Sequence, residues 1–333
     1  MKKANNMFKW SHLLVTVLML TILSCGNKQK EEVNDVAKEE VKEEKALFFK
    51  LSLAQWSLNK AVREGSQSPL DFAQKASELG FEGIEYVSQL YTRELEKDED
   101  PKVAMANMLK VLKEKSETYK VTNVLIMVDR EGDLATLDDK ERAQTIENHK
   151  KWVDAAQFLG CHSIRVNAHG VGTYEEVAEA AVKGLSELSA YAATKGINVI
   201  VENHGGYTSN GKWLAEVMAK VNMPNCGTLP DFGNFCMTEG YGSINSDKCD
   251  DPYDIYKGVT ELMPYAKAVS AKTYDFDENG NQPKIDYIKM MQIVKDAGYT
   301  GFIGVEYEGD NLSEVDGIKA TKDLILKSVA ALN

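Results

Sequence analysis

Polar residues, most of them ionisable, follow apolar segments in the second half of this 333-residue chain. Residues i and i+2 of a strand share a face, so their spacing places several side chains on one side. In a parallel α/β barrel the carboxyl ends of the strands form the face on which active sites are built. The pattern therefore favours an enzyme over a binding or structural module. The residues concerned are Arg165, Asn167, His169, Glu202, His204, Asp231, Ser270, Lys272, Glu306 and Glu308.

Three carboxylates in this set end different strand-like segments. Glu202 ends the run INVIVE, Asp231 follows a Leu-Pro pair, and Glu306 ends the run IGVE. Three close negative charges repel strongly, so a divalent cation or a lysine must lie among them. We expect Glu202 and Glu306 to act as acid and base, with Lys272 supplying positive charge. The alternative is structural, with the carboxylates ion-paired to Arg165 and Lys272.

Other polar side chains at the same predicted mouth are candidates for binding a substrate. His204 lies two residues beyond the first glutamate and shares its face. Asn167 and His169 occupy the equivalent level of the preceding strand. Glu85 ends GFEGIE in the second strand-like segment, and we expect it to face the mouth, where it would bind a hydroxyl or act as an acid. Arg165 is either a substrate contact or a structural counter-ion.

Strand-like and amphipathic helical segments alternate from residue 48 onward, which predicts parallel βαβ units. Eight units in residues 48–333 fit a single (β/α)8 TIM barrel, which typically has ~250 residues. A doubly wound open sheet is the alternative, but no glycine-rich phosphate loop follows the first strand. Glycines 80, 160 and 298 each stand between a helix-like and a strand-like segment, as helix-ending residues do. The strand-like runs are FKLSLAQWS, FEGIEYV, VTNVLIMVD, SIRVNA, INVIVEN, CGTLPDF, AKAVSAKT and GFIGVEYE.

Several kinds of partner and cofactor lack support in the sequence. There is no P-loop and no GxGxxG motif, so we expect no nucleotide cofactor. The net charge is -12 and no basic run occurs, so nucleic acid is not an expected partner. No CxxC pair occurs, which argues against a cysteine zinc site. Cys161 and Cys226 read as small buried residues, whereas Cys236 and Cys249 share one loop and either form a disulfide or remain thiols.

The first 47 residues read as a targeting segment followed by a tether. Lys2, Lys3 and Lys9 precede an apolar run over 13–23 that is shorter than the ~20 residues of a membrane span. The run stops at Ile-Leu-Ser and Cys25, which resembles a bacterial lipoprotein signal. We expect residues 1–24 to be a signal peptide and 25–47 a lipidated cysteine with a charged tether, which anchors the barrel at a bacterial membrane, in the periplasm or at the cell surface. An ordinary secretory signal with a chance cysteine is the alternative.

Residues from about 50 to 332 resemble the sugar phosphate isomerase/epimerase family, the xylose-isomerase-like TIM barrels. The motifs that carry the resemblance are GFEGIEYV, VIVENHGG, LPDFGN, SAKTYDF and GYTGFIGVEYEG. The resemblance implies one divalent metal, such as Mn, Mg, Co or Zn, held by a Glu, an Asp, a His and a Glu from the last four strands. Glu202, Asp231 and Glu306 match three of these ligands.

The fourth ligand does not match. The family's seventh strand typically reads His-x-Lys, whereas this chain has Ser270 and keeps only Lys272. The family often has a histidine three residues after the metal aspartate, and Asn234 stands there. These departures leave two alternatives open: a weakened metal site completed by water, and a metal-free site in which Lys272 supplies the positive charge.

The resemblance implies isomerisation or epimerisation of a carbohydrate by proton transfer next to a carbonyl, through an ene-diolate. Export from the cytoplasm would favour an unphosphorylated sugar or glycoside as the substrate. One rival is a lyase that performs β-elimination on an oxidised, keto glycoside. The other is a non-catalytic lipoprotein that binds carbohydrate. The oligomeric state stays open.

Overall fold

The computed structural model describes residues 47–238 and 240–332. The predicted signal segment, Cys25 and nearly all of the predicted tether therefore lie outside the described residues. Eight parallel strands, at the eight predicted positions, form one sheet in the order β6-β5-β4-β3-β2-β1-β8-β7. The strands are β1 Lys50–Ala54, β2 Gly83–Val87, β3 Thr122–Met127, β4 Ser163–Val166, β5 Asn198–Glu202, β6 Cys226–Leu229, β7 Val269–Thr273 and β8 Phe302–Tyr307.

The two end strands of this order, β6 and β7, meet and close the sheet into a barrel. Thr228 is bridged to Ala266, and Asp231 to Ser270, both in parallel register. The Ser270 amide donates to the carbonyl of Pro230 at 2.9 Å. The predicted (β/α)8 barrel is confirmed, and the closing contact places Asp231 directly beside Ser270.

Helices cover the outside of the sheet and include the helical segments expected from the sequence. Asp138 caps the helix that follows β3, because its carboxylate accepts from the amides of Lys140 and Glu141 at 2.9 and 2.8 Å. Gly160 ends the same helix with φ of 80°, a left-handed conformation that glycine adopts without steric cost. In the described residues the helices are α1 Asn59–Glu64, α2 Phe72–Glu78, α3 Thr92–Leu95, α4 Pro101–Tyr119, α5 Asp139–Leu159, α6 Tyr174–Ala193, α7 Gly211–Val221, α8 Ile255–Leu262, α9 Tyr287–Asp296 and α10 Glu314–Ala330.

Both faces of the strands are buried, and the side chains of each strand point alternately toward the helices and into the barrel. In β5, Val199 and Val201 pack in the large core between sheet and helices, whereas Ile200 belongs to a smaller apolar cluster. Side chains alternate along a strand, so Glu202 lies on the same face as Ile200. The inward face of the barrel thus turns from apolar to ionisable at the carboxyl ends of the strands.

Two further sequence expectations concern the cysteines and the membrane. Cys236 and Cys249 form a disulfide across the loop after β6, with Cα atoms 5.8 Å apart. Cys161 and Cys226 are buried thiols, as expected. Among the helices of the described part of the chain, none has the length and apolar character that a membrane crossing requires.

Candidate active site

A cavity of about 700 Å³ opens at the carboxyl ends of the strands. Its size lies within the ~300–1,000 Å³ of small-molecule sites. Asp231 is fully buried and does not line the cavity, but the Ser270 hydroxyl joins it to Glu306, which does. The expected residues that line the cavity are Arg165, Asn167, His169, Glu202, His204, Lys272, Glu306 and Glu308.

Three buried carboxylates converge at the carboxyl ends of the strands, and two of them, Glu202 and Glu306, line the cavity. Glu202, Asp231 and Glu306 each offer an oxygen, and these oxygens lie within 4.8 Å of one another. They come from the ends of β5, β6 and β8, which barrel closure brings together. Asn203 fixes the position of Asp231, because the side-chain oxygen of Asn203 accepts a hydrogen bond from the Asp231 backbone N–H at 2.7 Å. Such a group of hard oxygen donors suits a divalent cation, with Mg²⁺ or Mn²⁺ preferred over softer metals.

The hydroxyl of Ser270 joins two of these carboxylates. It lies 2.7 Å from Asp231 Oδ2 and 2.9 Å from Glu306 Oε2. A hydroxyl has one hydrogen to donate, so both contacts are hydrogen bonds only when one carboxyl carries a proton. Burial raises the pKa of Asp231 to about 7 and that of Glu306 well above its usual value. We therefore infer that this pair shares a proton near neutral pH when no metal is bound.

Lys272 supplies the positive charge that the carboxylate cluster requires. Its Nζ lies 3.8 Å from both Asp231 and Glu306 and 3.3 Å from Glu308. Burial disfavours the ammonium, but these three carboxylates together hold the pKa of Lys272 well above its usual value. The indole of Trp56 donates to Glu308 and fixes the outer carboxylate. Lys272 therefore forms the ion pairs that the structural alternative expected. It also lies where catalysis would need a cation.

A second network holds the carboxylate of Glu202. Arg165 Nε forms an ion pair with Glu202 Oε2 at 2.9 Å, although the N–H is not aligned for a hydrogen bond. The amide of Asn234 donates to Glu202 Oε1 at 3.1 Å. Arg165 also donates to Asp129 at 2.7 Å. Burial alone would raise the pKa of Asp129, but the charge and hydrogen bond of Arg165, with the hydrogen bond from Asn167, lower it well below its usual range.

The two histidines and Asn167 extend this network toward the cavity. Asn167 donates its amide to Asp129 at 2.8 Å, so its carbonyl oxygen faces His204 Nδ1 at 2.8 Å. This arrangement assigns the hydrogen of neutral His204 to Nδ1. Burial and the nearby Arg165 hold the pKa of His204 well below its usual value. His169 Nε2 lies 2.9 Å from the backbone oxygen of His204, which confirms that the two strand ends meet at one level.

The expectation that Glu85 faces the mouth was wrong. Its side chain is fully buried and does not line the cavity. Its carboxyl lies over Gly304, where an added Cβ would come within 2.6 Å of it, and Gly304 is two residues before Glu306 on the same face of β8. Ser52 donates to Glu85 at 2.6 Å. The small inward residues Ser52 on β1 and Gly304 on β8 leave room for this carboxyl one layer below the site.

This buried carboxyl predicts an unusual dependence of stability on pH. Burial raises the pKa of Glu85 to about 7 from 4.5. The folded protein then binds more protons than the unfolded chain between these values, so the free energy of unfolding falls as pH rises through them, by about 3 kcal/mol in all. We expect Glu85→Gln to be more stable than the wild type at pH 8 by up to this amount and similar at pH 4. Chemical denaturation at both pH values, with the exposed Glu82→Gln as control, measures the difference. An equal effect of Glu85→Gln at both pH values would contradict the assignment.

Residues that the sequence reading did not single out complete the site. Asp129 ends the run VTNVLIMVD and gives the same signal as the expected residues, a carboxylate after an apolar strand, so it could have been found. Tyr241 comes from the disulfide loop and packs over His204, with ring centroids 5.2 Å apart. No local pattern in the sequence marks it.

Ser270 occupies the position at which the family resemblance implies a metal-binding histidine. A hydroxyl is a weak ligand, and here it bonds to two carboxylates. We expect metal to be substoichiometric in the purified protein. Ser270→His should raise Mn²⁺ affinity by more than the roughly 10-fold that an outer-shell partner contributes. Calorimetric titration of the variant against Ser270→Ala tests this, and tight stoichiometric metal in the unaltered protein would contradict it.

The fold of this protein is similar to that of several solved structures. The fold is similar to that of 3-keto-D-glucoside 4-epimerase from E. coli, with a TM-score of 0.60 and 12% identity, covering 84% of this chain and 99% of that one. A barrel protein from Mycobacterium smegmatis, solved in complex with magnesium, has a TM-score of 0.59 at 15% identity, covering 85% and 97%. At these identities the likeness shows the fold alone.

Among curated proteins, the alpha subunit of 3'-dehydrocarminate deglycosidase from Microbacterium sp is 38% identical over 55 residues, 16% of each chain. The match thus spans less than a fifth of that relative's length. Residues 73–329 match the model of the family described as xylose isomerase-like TIM barrel. This match covers well over half of the chain, and the protein therefore belongs to the xylose isomerase-like TIM barrel family.

Proposed function

We propose that this protein is an isomerase or epimerase that moves a proton next to the carbonyl of an unphosphorylated carbohydrate. The observation that carries the proposal is the unequal surroundings of two glutamates. Glu202 forms an ion pair with Arg165 and accepts a hydrogen bond from the amide of Asn234. Glu306 is bonded to Ser270, and burial raises its pKa. Two carboxyls held by such different partners can divide the roles of base and acid in a proton transfer.

The two glutamates are placed to act on one bound sugar. Glu202 ends β5 and Glu306 lies on β8, with β6 and β7 between them, so the carboxyls approach the cavity from different directions. Glu202 removes a proton from the carbon next to the carbonyl, and Glu306 returns one. Lys272 stabilises negative charge that develops on the oxygen. A divalent ion held by Glu202, Asp231 and Glu306 would supply further electrophilic stabilisation of that oxygen when bound.

The charges of the cavity support a substrate without a phosphate on the reacting ring. A dianionic phosphate close to the three carboxylates would be repelled. Acidic side chains outnumber basic ones in the lining. The acidic residues are Asp129, Glu131, Asp133, Glu141, Glu202, Glu306 and Glu308, and the basic ones are Arg63, Arg130, Arg165 and Lys272.

A second candidate is elimination from a keto glycoside, and the names of two similar proteins bear on it. The curated relative acts, by its name, on a 3'-dehydro compound, and the E. coli structure is named for a 3-keto-glucoside. A ketone at ring position 3 acidifies the C–H bonds at both C2 and C4. Proton return to C4 on the other face gives an epimer. Proton loss from C2 followed by departure of the C1 substituent gives elimination. Both reactions begin when a base removes a proton from a carbon next to the C3 ketone.

One assay separates the candidates. Incubation of a panel of keto and reducing sugars in D₂O, with and without Mn²⁺, is expected to show deuterium entering the carbon next to the carbonyl. Deuterium in an otherwise intact sugar supports isomerisation or epimerisation, whereas release of the C1 substituent supports elimination. Binding without either change would favour the non-catalytic carbohydrate-binding reading.

We further propose that the protein is lipid-anchored outside the cytoplasm through Cys25. The Lys-rich start, the short apolar run and the charged segment after Cys25 support this location. The disulfide between Cys236 and Cys249 adds support, because disulfides persist in oxidising compartments.

Cys25→Ser is expected to release the protein from the membrane without altering the barrel. Several acyl chains on one residue bind a membrane far more firmly than a single chain, and the variant would carry none. Fractionation of cells that express each form, with mass spectrometry of the mature N-terminus, checks the outcome. Retention of residues 1–24 and a free Cys25 thiol in the wild type would contradict the anchor and would remove the argument from location against phosphorylated sugars.

A further inference from the structure

A second cavity of about 460 Å³ adjoins the mouth of the first, and its charge is opposite in sign. Arg63, Arg93 and Arg130 line it. They are far apart in sequence, so no basic run reveals them. Arg63, Arg130 and Gln89 also line the candidate active-site cavity, so the two cavities share a wall. An acidic reaction centre thus opens next to a cluster of three arginines, which we call the arginine annex.

The arginines of the annex are free to bind an anion. Among the residues that the structure describes, none of the three forms an ion pair with a carboxylate. Glu94 is the acidic residue of the lining, and it accepts from Lys97 at 2.7 and 2.6 Å. Gln67, Ser68 and Gln89 add neutral polar groups to the wall. Arginine presents paired N–H donors that match the oxygens of a carboxylate or sulfate.

Local contacts hold the side chains of Arg63 and Arg93 in place. Arg93 donates to the carbonyl of Arg63 at the end of α1, at 3.1 Å, which pins its guanidinium beside the annex. The guanidinium of Arg63 lies over the ring of Trp56, 4.7 Å from its centre. Arg130 has φ of 64°, a left-handed conformation that is uncommon for a residue with a side chain and that clusters at functional sites. It directly follows Asp129, which holds Arg165 against Glu202.

We propose that the arginine annex is a subsite for an anionic substituent, a carboxylate or a sulfate ester, on a sugar unit next to the reacting one. The inference rests on the proposed function, because it extends the same substrate beyond the reaction centre. A ring that reacts among the carboxylates must itself be neutral, whereas a neighbouring unit that reaches Arg63, Arg93 and Arg130 gains affinity from a negative charge. The substrate class is therefore an acidic oligosaccharide or acidic glycoside.

Binding of two matched disaccharides tests this subsite. Glucuronosyl-β-1,4-glucose and cellobiose differ by one carboxylate, and calorimetry with the Glu202→Gln protein measures binding without turnover. We expect the acidic disaccharide to bind about 10-fold more tightly at low salt, and this preference to shrink at high salt. Arg93→Gln should weaken the preference and Arg93→Gln with Arg130→Gln should abolish it. Lys102→Gln, at an exposed lysine that lines neither cavity, should leave it unchanged.

The outcomes separate this subsite from the proposed function. Equal affinity for the two disaccharides, or a preference that survives the double variant, would overturn the subsite. Inorganic sulfate that binds the annex while neither disaccharide is preferred would overturn it too, in favour of a free-anion site. Because no turnover is required, a clear preference together with a wild-type protein that exchanges no protons would leave the subsite standing and reject the isomerase.

Discussion

Glu202→Gln is expected to lower turnover by ~10²–10⁴-fold while the barrel stays folded, because loss of a general base typically has that effect. The glutamine keeps the size of the side chain and can still accept from Asn234, but it cannot take a proton from the substrate. Arg165 retains Asp129 as a partner at 2.7 Å, so its buried charge is not left unpaired. Initial rates and thermal unfolding of the same preparation measure the two effects.

Glu141→Gln is a matched control for this substitution. Glu141 also lines the cavity, but it accepts from Thr136 at 2.9 Å and lies outside the carboxylate cluster. Its loss should change the rate little. Turnover by Glu202→Gln close to that of the wild type would rule out the role given to Glu202.

Lys272→Met is expected to cause the largest loss of stability at the site. It removes the buried cation among Asp231, Glu306 and Glu308. Breaking a buried ion pair by removing one partner typically costs about 3–5 kcal/mol. Without the ammonium the pKa values of Asp231 and Glu306 rise further above those of the unfolded chain. The folded variant then binds more protons than the unfolded one at neutral pH, so its stability falls as pH rises and recovers as pH falls toward 5.

Chemical denaturation of Lys272→Met between pH 5 and pH 8 measures this dependence. Lys102→Met, at an exposed lysine, controls for the change of side chain. Added Mn²⁺ should restore part of the lost stability at pH 8, because it can replace the missing positive charge. A loss of the same size at every pH would show that Lys272 stabilises the barrel by packing and not by charge.

The sequence predicted the strands and the barrel well, because buried parallel strands are apolar runs with a clear periodicity. Residue parity also predicted which side chains meet, and Glu202, Asp231 and Glu306 do converge. The depth at which each side chain lies along the barrel axis was harder to predict. Glu85 shares the inward face, but the missing side chain of Gly304 lets its carboxyl lie one layer lower.

Contacts between distant loops could not be predicted at all. Asp129 carries the expected signal, yet its role depends on Arg165, 36 residues away, and on Asn167. The arginines of the annex come from α1, from α3 and from the loop after β3, and each is unremarkable in its own segment. Tyr241 reaches His204 only because the loop after β6 folds back over the mouth, where the disulfide of Cys236 and Cys249 joins its two sides.

The most direct test of the account is exchange of substrate hydrogen with solvent. A 3-keto glycoside incubated in D₂O with the wild-type protein should gain deuterium next to its carbonyl, as followed by NMR, and the same sugar incubated with Glu202→Gln should gain it no faster than in buffer. Enzyme-dependent exchange that disappears with Glu202 would establish proton transfer at this cluster. A keto-sugar panel that shows no exchange above background with the wild-type protein, with or without Mn²⁺, would contradict the proposed chemistry.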